Sequence, residues 1–350
     1  MPIHPNAFDG QIKGQAIKLI TIKDQSGSTV HLCNYGARVV SWEYEKAVGN
    51  TIDIVLGFDS LEKYTQASEA YHGVTVGRYA NRIANGTFKI GDKLYTLDQN
   101  LGQNNLHGGP DGFHQKVWDV KSEGHDYVIF TLHSPDGEEG FPGNLDVEVK
   151  YSIDNSQLKI EYLAYTDKAC PVNLTHHSYF NLNGEGSGSI LDHEARFYAE
   201  YYTPVDDLQI PTGSVDPVYD TPFDFTTWKR IGQDINQDDA QLKIAGGYDH
   251  NFVVKNYHEL DTKPVAAVRS NKSGLKLTCW TDKPGFQFYS ANFMDGSDVG
   301  RSGRAYETRT AFAIEPQFFP DSPNHNQFPS SILHPGEEYS TTTIYALQAL

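Results

Sequence analysis

The chain has 350 residues, with 28 Lys and Arg against 45 Asp and Glu and a formal charge of −17. That much acid repels phosphate backbones, which disfavours nucleic acid and anionic membrane surfaces as general partners. Hydrophobic residues make up 38% of the chain, too many for a disordered protein, and no apolar run approaches the ~20 residues of a spanning helix. The opening Met-Pro-Ile-His-Pro-Asn has no basic region leading into an apolar stretch, so no secretory signal is read there. Cys33, Cys170 and Cys279 are few, odd in number and widely spaced, which speaks against a disulfide framework. A soluble cytoplasmic protein is expected.

Taken in chain order, the hydrophobic period is two far more often than 3.6. Strands are predicted at Ile17–Ile22 and Thr29–Cys33, and a short helical piece at Leu61–Thr65. Tyr127–Leu132 reads as a further strand. In Asp146–Ile153, the apolar Val147, Val149, Tyr151 and Ile153 alternate with polar residues, the pattern of a half-buried strand. Asp154-Asn155-Ser156-Gln157 then turns the chain into Leu158, Ile160 and Tyr162, which predicts a hairpin. A second helical piece is placed at Trp228–Ile231. Strands follow at Phe252–Lys255, Leu275–Trp280, Phe286–Phe293 and Thr341–Ala346. Many short strands with Gly- and Pro-rich connections predict a large antiparallel β-sandwich with very little helix. No linker, composition shift or repeat divides the chain, so residues 1–350 are read as one all-β domain.

Several familiar signatures are missing. No phosphate-cradling glycine loop, dinucleotide fingerprint or H-E-x-x-H zinc motif occurs. His107-Gly108-Gly109 resembles part of an esterase oxyanion loop, but no G-x-S-x-G nucleophile elbow accompanies it.

Five polar clusters stand out instead. Gly77–Gly86 carries Arg78 and Arg82 among small residues. A guanidinium there can fork onto ligand hydroxyls or a carboxylate, or simply cap loop carbonyls. Asn104–Gly109 holds His107 before two glycines, either a ring beside deliberately open backbone or a turn that needs positive φ. In Asn173–Leu182, His176 and His177 are adjacent, so on a strand they face opposite sides and only one enters a given site. Asp249 follows Gly246-Gly247-Tyr248, as a turn cap or a functional carboxylate. Glu315 interrupts the strand-like segment Ala313–Asp321, where an ionised carboxylate is costly unless paired or functional. A buried Glu with a raised pKa makes a serviceable general base.

Together these stretches resemble the aldose 1-epimerase (galactose mutarotase) family. The resemblance rests on Asn81-Arg82-Ile83, Leu106-His107-Gly108-Gly109, His177-Ser-Tyr179-Phe-Asn-Leu, Asp249-His250, Phe286-Gln287 and Glu315-Pro-Gln-Phe-Phe-Pro-Asp, in family order. It extends from Gly36-Ala37-Arg38 to Pro335–Tyr339 and so covers nearly the whole chain. It implies a β-sandwich with an open sugar cleft, without cofactor or metal, acting on a free monosaccharide. By motif, Glu315 matches the family's general base and His177 its general acid. Arg82, His107 and Asp249 match residues that hold the sugar, and Asn81, Tyr179 and Gln287 match positions lining the same cleft. One position departs from the pattern: His176 stands where relatives often have Asn, a change expected to affect support rather than chemistry.

The implied activity interconverts the α and β anomers of aldohexoses such as galactose and glucose. Its chemistry suits these residue types, because opening a hemiacetal needs a base on the anomeric hydroxyl and an acid on the ring oxygen. Three rivals are kept: a relative acting on a disaccharide, such as a maltose epimerase; a non-catalytic sugar-binding sandwich; and a glycosidase using Asp249 with Glu315. No nucleic acid or membrane partner is expected, and the chain is read as a monomer or weak homodimer.

Overall fold

The computed structural model describes residues 3–47, 49–259 and 261–350. Its hairpin at Leu145–Asp154 and Gln157–Thr166 shows how the alternation works. The two strands pair in unbroken register from Leu145 opposite Thr166 to Asp154 opposite Gln157. Asn155 and Ser156, both at positive φ (48° and 56°), make the two-residue turn. Such a turn matches the right-handed twist of the strands it joins. Val147, Val149, Tyr151 and Ile153 are buried, while the residues between them are partly or fully exposed. Burying each such side chain is worth roughly 1.5–3 kcal/mol.

That hairpin lies in a nine-stranded antiparallel sheet. Its order is Asp119–Glu123, Tyr127–Ser134, Leu145–Asp154, Gln157–Thr166, Tyr339–Ala349, Leu275–Thr281, Lys263–Ser270, Glu194–Phe197, Lys229–Arg230. A five-stranded antiparallel sheet runs Asp216–Pro217, Tyr201–Thr203, Asp249–Val253, Gly285–Tyr289, Ala313–Gln317. Leu19–Lys23, Thr29–Cys33, Arg38–Ala47 and Asn50–Asp53 form a four-stranded antiparallel sheet. A single apolar cluster joins the three: Val30 and Trp42 from the four-stranded sheet, Val149 and Tyr151 from the nine-stranded, Phe286 and Phe288 from the five-stranded. The arrangement is the expected β-sandwich. Cys33, Cys170 and Cys279 are all buried and free.

Only two α-helices occur among the described residues, Leu61–Gln66 and Ala240–Ala245. The first begins where predicted, with Ser60 accepting from the Lys63 amide at 3.4 Å. The second was not anticipated. Asp239 caps it through the Gln241 and Leu242 amides (2.8 and 3.1 Å), and Gly246 ends it at φ 68°. The helix predicted at Trp228–Ile231 is wrong: Lys229–Arg230 is a short edge strand paired with Glu194–Ala195. The Lys229 ammonium is tied to the Pro222 carbonyl at 2.7 Å and to Asp234 at 2.9 Å, so tertiary partners set this backbone.

Several strand boundaries also move; Tyr339–Ala349, for one, is longer at both ends than the predicted Thr341–Ala346. The first strand is Leu19–Lys23 rather than Ile17–Ile22. The strand placed at Phe252–Lys255 is Asp249–Val253, and Phe286–Phe293 shortens to Gly285–Tyr289. Asp249, His250 and Asn251 were read as a loop entering the strand but lie inside the ladder, whereas the other strand ends early because the chain turns at Ala291 (φ 49°). Among the described residues no helix is long and apolar enough to cross a membrane.

Candidate active site

Asp249–Val253, Gly285–Tyr289 and Ala313–Gln317 are buried along their whole length. Register places Asn251 opposite Gln287 and Gln287 opposite Glu315. Directly opposed residues share a face, and so do residues two apart on one strand. Asp249, Gln287 and Glu315 therefore form a polar row on one face. Phe252, Phe286, Phe288 and Ile314 go to the other face and into the apolar core. Within the row, Gln287 Nε2 donates to Asp249 Oδ1 at 2.6 Å, and Gln317 Nε2 reaches Gln287 Oε1 at 3.4 Å. Asp249 is thus no turn cap; it is a strand residue held by an amide.

The opposite wall comes from loops pinned by a two-residue ladder, Arg82–Ile83 against Asn105–Leu106. Asn81 and His107 both sit at positive φ, 65° and 52°. The Asn81 amide donates to His107 Nδ1 at 3.1 Å, and the His107 amide donates to the Asn81 carbonyl at 3.0 Å. Gly108 has φ 86°, and a Cβ there would lie 2.1 Å from the Gly77 carbonyl oxygen. Both readings of His107-Gly108-Gly109 therefore hold: a left-handed turn and backbone that must stay bare.

The two arginines of this segment part company. Arg78 makes five bonds to a loop, with Ser134 Oγ (2.8 Å) and the carbonyls of Ser134, Pro135, Pro142 and Gly143 (2.7, 2.8, 3.2 and 2.8 Å). It is structural. Arg82 instead faces the polar row, with Nη2 3.6 Å from Asp249 Oδ2 and also donating to Gln209 Oε1. Its Nη1 reaches Asn81 Oδ1 at 3.3 Å, and its buried Nε has no protein partner.

Between these walls sits His177. Thr175 Oγ1 donates to the Pro316 carbonyl at 2.7 Å, which fastens the histidine segment to the strand carrying Glu315. His177 Nε2 lies 3.5 Å from Glu315 Oε1, and both side chains are almost fully buried. The Tyr179 ring is 4.8 Å from the His177 ring. His176 turns away as expected, its Nε2 2.6 Å from Ser178 Oγ and its ring against Tyr151 and Tyr345. It braces the segment from the core side.

Burial dominates the electrostatics. It pushes the Glu315 carboxyl well above the usual range; the Asp249 charge adds to this and Arg82 opposes it. It also drives the His177 imidazole down to about 3. His107 is held well below its ordinary value by burial, then by His177 and Arg82. Burial therefore favours a protonated carboxyl beside neutral imidazoles. Glu315 Oε2 and His177 Nδ1, like Arg82 Nε, are buried without a protein hydrogen-bond partner. Such atoms are expensive unless something else satisfies them.

Seven of the eight predicted residues (Asn81, Arg82, His107, His177, Tyr179, Asp249 and Glu315) line one cavity of about 110 Å³. The eighth, Gln287, stands behind Asp249. A far larger cavity, about 700 Å³, lies among Gly186–Gly188 and Gly303–Glu307 with no such convergence, so chemistry and not size marks the site. Glu69, Tyr71, Leu106, Tyr289 and Phe293 also line the cleft and were not foreseen. Phe293 is 61% exposed, an aromatic face open to a ligand. Glu69 and Tyr71 sit on a loop with no periodicity to betray them. Phe293 fell at the end of a predicted strand and was taken for part of it.

His107, His177 and Glu315 each bring a possible metal ligand within 4.8 Å of the other two. The His107 tautomer argues against that use. Its Nδ1 accepts the Asn81 amide, so the neutral ring carries its proton on Nε2 and presents a donor there, not a lone pair. A ligand oxygen fits this arrangement better than a cation does.

Residues 18–346 match the aldose 1-epimerase family. The chain belongs to that family. Galactose mutarotase of Bos taurus is 43% identical over 316 residues, covering 90% of this chain and 89% of the relative. Aldose 1-epimerase of Escherichia coli K12 is 40% identical over 336 residues, 95% of each chain. The solved structure of the GalM/aldose epimerase homologue from C. elegans superposes with a TM-score of 0.88 at 32% identity, covering 96% of this chain and all of that one. The aldose 1-epimerase match spans every cleft residue named here, from Glu69 to Glu315.

Proposed function

We propose that Glu315 and His177 are the acid–base pair of this aldose 1-epimerase. Arg82, His107 and Asp249 hold the sugar, and Asn81, Tyr179 and Gln287 complete the cleft. The enzyme is an isomerase that interconverts the anomers of aldoses. The 3.5 Å approach of His177 Nε2 to Glu315 Oε1, with one further polar atom of each left unpartnered, carries the reading.

Burial favours a proton on the carboxyl, and moving it from carboxyl to imidazole yields a carboxylate and an imidazolium without changing the net charge. Glu315 then takes the proton of the anomeric hydroxyl while His177 delivers one to the ring oxygen. The C1–O5 bond breaks, the C1–C2 bond rotates, and the same steps in reverse close the ring on the other face. Burial raises the energy of both charged partners, so each is reactive. Arg82 and Asp249 bind neutral hydroxyls through charge-assisted hydrogen bonds. His107 offers an N–H, and Phe293 supports this reading as a platform for the apolar face of a sugar ring.

Galactose is the aldose proposed as preferred, as in the relatives named for it. All the proposed groups come from one chain, and the working unit is proposed to be a monomer or weak homodimer in the cytoplasm, with residues 1–350 as one domain. Polarimetry on freshly dissolved α-D-galactose, α-D-glucose and maltose tests this. Faster relaxation to the spontaneous end-point, greatest for galactose and lost in Glu315→Gln, is expected. A shifted end-point would mean new sugar is being made and would overturn the reading.

A further inference from the structure

A second feature lies away from the cleft. Lys283 follows the strand Leu275–Thr281, and only 2% of it is exposed. A buried lysine is ordinarily paired with a carboxylate. Among the described residues Lys283 has no carboxylate at ion-pair distance; its Nζ lies over the rings of Phe318 (4.7 Å) and Tyr339 (4.4 Å) and donates to Tyr339 Oη. The nearby Asp282 carboxylate is engaged by the Thr342 amide at 3.0 and 3.1 Å. Burial drives the Lys283 amine down to about 7, with Asp282 opposing. Burial thus favours the free amine.

The residue opens on a cavity of about 470 Å³ also lined by Val172, Phe318, Ser331, Ile332 and Thr341. Ser331 Oγ and Thr341 Oγ1 are buried there without a protein partner of good geometry. Glu337 and Glu338 line the same cavity, which makes it unfriendly to anions. An amine at depth, two hydroxyls on the wall and acid nearby suit a small neutral carbonyl compound that carries hydroxyl groups.

We propose that Lys283 is a site of reversible imine formation with short hydroxyaldehydes, the chemistry an aldose exposes when its ring is open. The Nζ lone pair forms a C–N bond to the carbonyl carbon, the carbonyl oxygen leaves as water with the two amine protons, and an imine remains. No oxidant or reductant is consumed. Tyr339, whose hydroxyl also accepts the Leu174 amide at 2.9 Å, stands beside Nζ to pass a proton during that exchange. Nothing in this site depends on the roles assigned in the cleft.

The probe is glyceraldehyde with cyanoborohydride at pH 7, followed by peptide mapping. Lys283 should gain one glyceraldehyde less one oxygen atom, at least ~10-fold faster than exposed Lys13 or Lys243, whose Nζ atoms pair with Asp111 and Asp238. The Lys283 rate should level off above about pH 7, while exposed lysines keep gaining until ~10.4. Lys283 is faced by Asp282 on its own turn and by Glu337, Glu338 and Tyr339 beside the last strand, and burial keeps the Tyr339 hydroxyl protonated. Lys283→Met should lose the label. Ser331→Ala, which keeps the amine, should slow labelling by glyceraldehyde but not by propanal, with mutarotation intact as the control for folding. Labelling of Lys283 no faster than of Lys13 and Lys243 would overturn the proposal, as would equal rates for Ser331→Ala and the parent with glyceraldehyde.

Discussion

The hairpin Leu145–Thr166 and the cleft strands Asp249–Val253, Gly285–Tyr289 and Ala313–Gln317 are both antiparallel ladders, yet they treat polar residues in opposite ways. The hairpin alternates strictly and sends its charges outward, Lys150 and Lys159 meeting Glu161 at 3.5 and 2.6 Å on the surface. The cleft strands are buried on both faces, and one face is polar: Asp249, Gln287 and Glu315 in a row. One ladder lowers the free energy of folding. The other accepts buried, partly unpartnered groups that folding alone would not select, the mark of a site kept for chemistry.

Substitutions can break that contrast from either side. Glu315→Gln keeps the shape of the row but removes its proton exchange, and polarimetry should show a loss of about 10²–10⁴-fold in rate with an unchanged fold. A near-normal rate would mean the row is structural after all.

Acid should separate the regions next. The hairpin contains no histidine, whereas His177 and His250 beside the polar row are both held at about 3, by burial first, and His193 at about 4. These folded values lie below the unfolded value of ~6.5, so the stability they add is complete above ~6.5 and is lost as pH falls toward the folded values. Each such imidazole should cost about 1.4 kcal/mol per pH unit inside that window. Urea midpoints that stay level from pH 7 to 4 would contradict it.

On the hairpin side, Val149→Ala removes fully buried methyl groups and should cost about 2 kcal/mol of stability by urea titration, while KM and kcat remain. Asp249→Asn sharpens the comparison from within the row. It preserves shape while removing charge from the contact with Arg82, so KM should rise roughly tenfold, about 1.4 kcal/mol, with a smaller change in kcat. A fall confined to kcat would move Asp249 from binding to chemistry. Lys150→Gln is the smallest case. Its pair with Glu161 is exposed and screened, so less than ~0.5 kcal/mol should be lost.

The site was legible where several signals coincided. Glu315 in an apolar strand conflicts with a purely structural role, whereas His107 before two glycines and Asp249 after a glycine pair read equally well as turn residues until family order joined them. Glu69, Tyr71, Phe293 and Gln209 were illegible because nothing local distinguishes a loop residue aimed at a cleft from one aimed at water. The helix misplaced at Trp228–Ile231 failed for a related reason, since a two-residue edge strand is stabilised by partners far away in sequence.

By itself the sequence predicted the all-β class and the Leu145–Thr166 hairpin with its Asn155-Ser156 turn, which follow from side-chain alternation and turn conformations, both local properties. The acid, base and sugar-holding residues were nominated by the family resemblance, not by local pattern. Only the tertiary structure decided that Arg82 faces the cleft while Arg78 cages a loop, that His177 rather than His176 meets Glu315, and that Lys283 is buried without a carboxylate. Each of these depends on which distant strand or loop arrives opposite, and long-range register, not the residue itself, sets the dielectric and the partners that a charged group finds.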